Sequence, residues 1–299
     1  MLISELSEKL TRSSNRIQLS KLRDLSLTDE GLVIGDSEPL WLDELGTDKV
    51  AKFLGIPVTY ANRVPAELRR FNVNYLLNSS PEDAEVNLHL MGDNLTGIFE
   101  ADKRVVALDD MARTLTRVLA ANDEVVQFRS DDSRFHMDVL VQEHSVNVPA
   151  QNKSWRPDSD DITHGGIRLI GTTNPSDLPK LQTYMHRLVC ANGMAIEEPD
   201  RQVTLRGNSV EEVLAELEVN ARILLGEMPA RLAAYAATDS IAIEGNVEQA
   251  ILQLGQDRGI ADRVITRVIS AAAELPPVGL SQYDIAQLFT QIANIDGVS

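Results

Sequence analysis

The residues able to do covalent or metal chemistry in this 299-residue chain are one cysteine, five histidines and three aspartate pairs. Cys190 follows His186 by four residues, a spacing that on a helix sets an imidazole base beside a thiol nucleophile. The same stretch, Tyr184 to Val189, reads equally as an apolar helix ending in a small buried residue before the turn at Asn192-Gly193. Nothing around it lowers the thiol pKa, so no catalytic residue is assigned. His89, His136, His144, His164 and His186 fit no compact metal signature, and neither HExxH nor paired CxxC occurs. A strand would put His136 and Asp138 on one face, yet surface or strand-edge roles account for these histidines without a metal. The pairs Asp109-Asp110, Asp131-Asp132 and Asp160-Asp161 suit loops and caps better than an ion, since adjacent strand residues face opposite sides. His164-Gly165-Gly166 and Arg206-Gly207 stand without a Walker A sequence or GxGxxG, so neither nucleotide hydrolysis nor a cofactor is expected.

The chain carries 28 Lys and Arg against 45 Asp and Glu, a formal charge of −17. A field of that sign opposes nonspecific capture of nucleic acid or anionic membrane, so any DNA-binding surface must be a local basic patch. Neither half is basic: residues 1–150 hold 16 basic and 25 acidic side chains, and residues 151–299 hold 12 and 20. Residues 1–23 are the exception, with Lys9, Arg12, Arg16, Lys21 and Arg23 against Glu5 and Glu8. The plain reading of the acidic excess is a solvated surface. With 43% hydrophobic residues and no apolar run near the ~18 residues of a membrane span, the composition is that of a globular chain with no membrane role. A single cysteine precludes an intrachain disulfide, and the opening residues lack the basic-then-apolar order of a leader. The expected location is the cytoplasm.

The spacing of apolar residues sets out the elements that must position any site. Leu25–Leu27 and Leu32–Ile34, separated by Thr28-Asp29-Glu30-Gly31, predict a β-hairpin whose glycine supplies positive φ. Asp43 or Thr47 caps a helix running to Phe53, Gly55 ends it and Pro57 opens the next. Residues 47–64 therefore have the outline of a helix-turn-helix, although the second helix offers only Thr59, Tyr60, Asn62 and Arg63 before Pro65; a plain αα corner is the alternative. Leu68, Phe71 and Tyr75 make 65–77 an amphipathic helix with that stripe as its apolar face. Val86, Leu88 and Leu90 alternate in period two, as do Phe135, Met137, Val139 and Val141, and both sets predict strands. Ile98-Phe99 and 125–128 are further strands, and 109–121 is a helix between them. Pro149 to Asp161 reads as a mobile loop, 162–170 as a strand, 178–189 as a helix and 203–206 as a short strand. Ser209-Val210-Glu211-Glu212 is a capping box opening a helix, and three more follow at 247–254, 260–274 and 281–295. The expected fold is α+β: a mixed or antiparallel sheet with packed helices in the first two-thirds, and an all-helical C-terminal third. It divides into a core domain, 1–208, and a helical region, 209–299.

Three stretches carry a family likeness. They are Phe53-Leu54-Gly55-Ile56-Pro57 followed by Pro65-Ala66-Glu67-Leu68-Arg69; Tyr184-Met185-His186-Arg187-Leu188-Val189-Cys190-Ala191-Asn192-Gly193-Met194; and the closing helix near Ser281-Gln282-Tyr283-Asp284-Ile285. Over roughly residues 40–295 the chain resembles a phage- and plasmid-associated family of uncharacterised proteins that combine an LGIP corner, an R-L-V-C-x-N-G-M segment and a C-terminal helical region. The resemblance implies a mobile-element or prophage setting and supplies no catalytic mechanism. At fold level the mixed strand-and-helix core is similar to phage single-strand annealing proteins of the Erf and RecT types, which assemble into rings or filaments on DNA.

That likeness implies a non-enzymatic protein that binds single-stranded DNA and supports recombination by annealing, as a homo-oligomer. Annealing needs basic side chains along a groove, with aromatics on which bases stack. The positions offered are Arg63, Arg69, Arg70, Arg168, Arg187, Arg201 and Arg206, with Phe71, Tyr75 and Tyr184 close to several of them in sequence. Arg187 either faces DNA or pairs with a carboxylate beneath the turn that follows it. At 4% aromatic residues one subunit cannot build a long platform, so oligomerisation would repeat a small one. The acidity departs from the annealing type and keeps open another class: an acidic interaction protein that blocks a host protein, or presents carboxylates as a DNA mimic. An enzyme built on Cys190 and His186 ranks third.

Overall fold

The computed structural model describes residues 1–12, 15–42, 44–130, 134–148, 162–172, 177–188, 195–275 and 280–295. Helix α1 (Ile3–Arg12) buries Ile3, Leu6 and Leu10, one apolar residue per turn. Strand β1 (Asn15–Lys21) follows, then β2 (Leu25–Leu27) and β3 (Leu32–Ile34), paired antiparallel as the expected hairpin. Gly31 closes it at φ 146°, where any side chain would collide with the Leu40 carbonyl. Helix α2 (Glu44–Phe53) stops where Gly55 takes φ 75°, and α3 (Val58–Ala61) lasts only 4 residues. Residues 47–64 are therefore an αα corner, because so short a second helix cannot lie along a DNA groove. Asp43, one of the two expected caps, lies outside the described residues.

Helix α4 (Ala66–Ser79) starts behind Pro65, whose ring suits a helix entrance. Strands β4 (Glu85–Met91) and β5 (Asn94–Glu100) join β1 in a three-stranded antiparallel sheet ordered β1-β4-β5. Val86, Leu88 and Leu90 are fully buried, as their alternation predicts. They pack in one core with Leu25, Leu32, Val50, Ala51, Val73 and Leu77, and each buried Val or Leu side chain contributes roughly 1.5–3 kcal/mol. Helix α5 (Leu108–Thr116) is shorter than the expected 109–121.

Strands β6 (Glu124–Ser130), β7 (Arg134–Asn147), β8 (Ile162–Thr172), β9 (Lys180–Leu188) and β10 (Ala195–Thr204) form a second antiparallel sheet ordered β10-β9-β8-β7-β6. Residues 180–188 are thus a strand, which corrects the expected helix at 178–189. Leu181, Thr183 and Tyr184 are all buried, so consecutive side chains on opposite faces are covered and period two is erased. The correction also removes the helical spacing that set His186 beside Cys190. Cys190, the Asn192-Gly193 turn and the polar stretch 149–161 lie outside the described residues.

From α6 (Val210–Ala237) onward the described chain is helical, with α7 (Val247–Asp257), α8 (Asp262–Ala273) and α9 (Gln282–Ile295). The last three share a core of Ile251, Val264, Ile265, Val268, Ile285 and Phe289. The protein is α+β, with antiparallel sheets and a helical C-terminal stretch. Two compact units divide the chain: Met1–Val139, Arg168–Leu181 and Val203–Arg222 form one, and Leu140–Ile167, Gln182–Gln202 and Ile223–Ser299 form the other. The 208/209 boundary read from the sequence falls inside the first unit. Among the described residues no helix is long and apolar enough to cross a membrane.

Candidate nucleic-acid interface

Helix α4 turns its apolar residues in two directions. Val73 and Leu77, four apart, are buried against the hairpin and first sheet. Leu68, Phe71 and Tyr75 lie on the opposite side and face solvent, with Phe71 65% and Tyr75 63% exposed. The stripe read from the sequence as the apolar face of the helix is thus its free face, and Phe71 and Tyr75, offered there as stacking aromatics, are accessible. The Phe71 and Tyr75 rings are stacked, with centroids 6.4 Å apart and planes inclined by 20°. Tyr60 of α3, also exposed, joins them from one flank, where its hydroxyl accepts a hydrogen bond of 3.2 Å from Asn72 Nδ2.

The rotation of α4 is fixed by Asn74. Its Oδ1 accepts from the Leu27 backbone N–H at 2.7 Å and its Nδ2 donates to the Leu27 carbonyl at 2.9 Å. One amide side chain thereby satisfies both polar groups of a β2 residue, as a neighbouring strand would.

Of the seven arginines offered by the sequence, Arg69 and Arg70 lie on α4 and Arg63 in the segment before it. Arg69 and Arg70 are half-buried and flank the Val73–Leu77 side of the helix rather than the aromatic stripe. Arg70 pairs with Asp29 in the hairpin loop, while Arg63 and Arg69 make no ion pair among the described residues. The remaining four are elsewhere. Arg168 donates from Nε and Nη2 to the two carboxylate oxygens of Asp138, each at 2.7 Å. Asp138 is wholly buried and also lies 2.8 Å from His136 Nε2, so the strand does set those two on one face. Arg168 is thereby committed to a buried carboxylate. Arg201 pairs with Glu227 of α6. Arg187 lies on β9, with its side chain outside those described.

Arg206 is exposed at the entrance to α6. The backbone amides around it are already occupied, since those of Arg206 and Gly207 donate to Glu216 Oε2 at 2.6 and 2.9 Å, and that of Asn208 donates to Glu212 Oε2 at 2.6 Å. Ser209 Oγ accepts from the Glu212 N–H at 3.1 Å, which completes the Ser209 half of the expected capping box. These bonds fill the site where a phosphate would need free N–H groups. Hydrogen bonds from its own backbone N–H and from Ser209 also hold the Glu211 carboxyl below the usual carboxylate range.

A cavity of about 740 Å³ beside β1 is lined by Arg16, Lys103, Arg104 and Arg113, but also by Asp102, Asp110 and Glu211. Its cations are largely engaged. Arg104 donates to the Gly207 carbonyl, and Arg113 donates to Asp110 and the Leu10 carbonyl at 2.9 Å each. Lys103 lies 3.2 Å from Glu100, and hydrogen bonding to that carboxylate raises its pKa. The wall is mixed in charge and does not form a polyanion channel. Tyr184, named with the stacking aromatics, is buried and closed off from any ligand.

Among the described residues no group of three or more His, Cys, Asp or Glu could hold a metal ion. His89 is buried between Thr96 and the Lys49 ammonium, with Nδ1 2.8 Å from Thr96 Oγ1. Desolvation first, and Lys49 second, push its pKa down to about 4, so it is a neutral core residue at pH 7.

The sequence reasoning named Tyr60 only in the αα corner and did not join it to Phe71 and Tyr75, nor did it identify which apolar set of α4 enters the core. The signal was present in Val73 and Leu77, a second apolar pair on the opposite side of the same helix, because only one of the two faces could enter the core. Neither a family model, nor a curated protein, nor a solved structure matches this chain. What the fold itself defines is the class of the protein, α+β, with the α4 aromatic pair offered to solvent.

Proposed function

We propose that this is a non-enzymatic, phage-type protein of the cytoplasm that binds single-stranded DNA and supports recombination by strand annealing, working as a homo-oligomer. The observation that carries the reading is the exposed, stacked Phe71–Tyr75 pair on a helix that also carries Arg69 and follows Arg63. Bases stack on aromatic faces whatever their sequence, and guanidinium groups beside the rings supply the contacts to phosphate. A polyanion approaching a chain of charge −17 must overcome that field, which Arg63 and Arg69, without an ion pair among the described residues, would offset locally. Catalysis has no part in this reading.

An acidic interaction protein, acting as a host-protein inhibitor or DNA mimic, is the second reading. The engagement of Arg70, Arg168 and Arg201 by carboxylates favours it, because arginines held by acids are unavailable to phosphate.

Fluorescence anisotropy with a labelled oligothymidylate, run across a salt series, separates the two. If Arg63 and Arg69 meet phosphates, a fourfold rise in salt should weaken binding roughly 7-fold, from a slope near −0.7 per phosphate on single strands. Absence of binding at the lowest salt rules out the annealing reading, and recovery of a stoichiometric host protein under the same conditions supports the alternative.

A further inference from the structure

Helices α7 and α8 are joined by only four residues, Arg258 to Ala261. Within that turn Gly259 takes φ 64°, and the Ile260 N–H donates to the Gly255 carbonyl at 2.9 Å, which ends α7 sharply. Two helices linked by so short a glycine turn have the outline of a helix-turn-helix. Gly255, buried in α7, lets the second helix come close: a Cβ there would lie 2.5 Å from Ile265 Cδ1 of α8. Ile251, Val264, Ile265 and Val268 extend the contact into the core shared with α9, so a third helix braces the pair. Unlike the 4-residue α3 of the αα corner, α8 has 12 residues and is about 18 Å long.

Arg263, Thr266, Arg267 and Ser270 recur along α8 at i, i+3, i+4 and i+7 and are all exposed, while Val264, Ile265 and Val268 are buried on the other side. Arg258, in the turn, is exposed as well. The only basic residues after Arg231 are Arg258, Arg263 and Arg267, so every cation of that acidic stretch stands on this turn or this helix face. A merely solvated surface intersperses its charges instead of gathering one sign. Arg258 and Arg263 make no ion pair among the described residues. Asp262 stands about 100° round the helix from Arg263, off the basic face. Glu274 shares the face at its far end, which leaves the N-terminal half of α8 as the basic part. The Thr266 and Ser270 hydroxyls donate to the Asp262 and Thr266 carbonyls at 2.9 and 3.0 Å, and their oxygens can still accept.

We propose that α7 and α8 form a helix-turn-helix that reads duplex DNA. Helix α8 enters the major groove, where Arg263, Thr266, Arg267 and Ser270 meet base edges, and Arg258 meets a phosphate. The N-terminal part of the second helix is the part that this motif turns to the bases, and it is the basic part here. The ligand follows from charge and shape. The major groove of B-DNA admits one α-helix, and an arginine there donates to both O6 and N7 of guanine. The major groove of duplex RNA is too narrow for side chains to read. Single strands need exposed rings for stacking, and the aromatics of these helices, Tyr283 and Phe289, are buried. The inference goes beyond the single-strand reading and uses no residue of α4, so either can fail without the other.

The test presents the full chain with a duplex DNA pool randomised over about 20 base pairs, two turns of the double helix. Rounds of selection should enrich one sequence. In anisotropy with that duplex, Arg263→Ala should weaken binding roughly 5- to 150-fold and relax the preference at a single base pair, with circular dichroism unchanged. Arg258→Ala should weaken all duplexes alike and reduce the salt slope by about 0.9. Excess unlabelled oligothymidylate should leave the enriched duplex bound. A pool that stays random overturns the proposal. So does an enriched duplex that folded Arg263→Ala and Arg267→Ala variants bind as wild type does. Displacement by oligothymidylate overturns it too, because the duplex then shares a site with single strands.

Discussion

Asp138 and Arg168 face each other across β7 and β8 through two parallel hydrogen bonds of 2.7 Å, with the carboxylate sealed from solvent. The arginine that resembled a DNA contact in the sequence is the counter-ion of a core residue. Removing one partner of such a pair strands a charge where water cannot reach it. Asp138→Ala should lower stability by about 3–5 kcal/mol in urea denaturation. Arg168→Gln should alter DNA affinity no more than it alters stability; a selective loss of binding in a fully folded Arg168→Gln variant would return Arg168 to the interface.

Phe71 and Tyr75 should separate binding from folding. Both rings are mostly in water, so Phe71→Ala and Tyr75→Ala should change the urea midpoint little, by about 0.5 kcal/mol or less. Each should weaken oligonucleotide binding by 1–3 kcal/mol, roughly 5- to 150-fold in anisotropy, and Phe71→Trp should restore it. If both alanine variants bind as wild type does, the α4 face is not where bases stack.

His89 gives the fold an acid sensitivity with a defined window. Its ordinary pKa of 6.5 falls to about 4 in the folded chain, so below 6.5 the unfolded chain takes up a proton that the native state refuses. Stability should therefore fall as pH drops from 6.5 towards 4, by roughly 1.4 kcal/mol per unit within that window and about 3 kcal/mol in all. Urea unfolding of wild type and His89→Gln at a series of pH values isolates this contribution from the carboxylates. Parallel profiles would show that His89 titrates normally.

Gly207 has no room for a methyl group. A Cβ there would lie 2.5 Å from the Val213 amide nitrogen and 2.6 Å from the Glu212 carbonyl carbon, both backbone atoms of the first turns of α6. Gly207→Ala should destabilise by about 1–3 kcal/mol and loosen the Glu216 bonds to Arg206 and Gly207, measured as faster amide exchange at those two residues.

Where one face of an element meets solvent, its outline was legible in the residues. The hairpin at 25–34, the alternation at Val86–Leu88–Leu90 and the C-terminal helices each have a local pattern that burial only reinforces. Lys180–Leu188 was misread because Leu181, Tyr184 and Leu188 fall at helical spacing while the strand is covered on both sides. On α4 two apolar pairs competed for one core, and the choice rested on hairpin contacts distant in sequence, Asn74 with Leu27 above all. The engagement of Arg70, Arg168 and Arg201 was equally hidden, since their acids lie between 26 and 41 residues away along the chain.

Asn74 has one more effect. Because its amide bolts the helix to the hairpin at a set angle, the side of α4 that carries the stacked rings is turned to solvent once the chain folds. The freedom lost in orienting the helix is lost during folding, so on the proposed reading an unpaired base would find little left to organise.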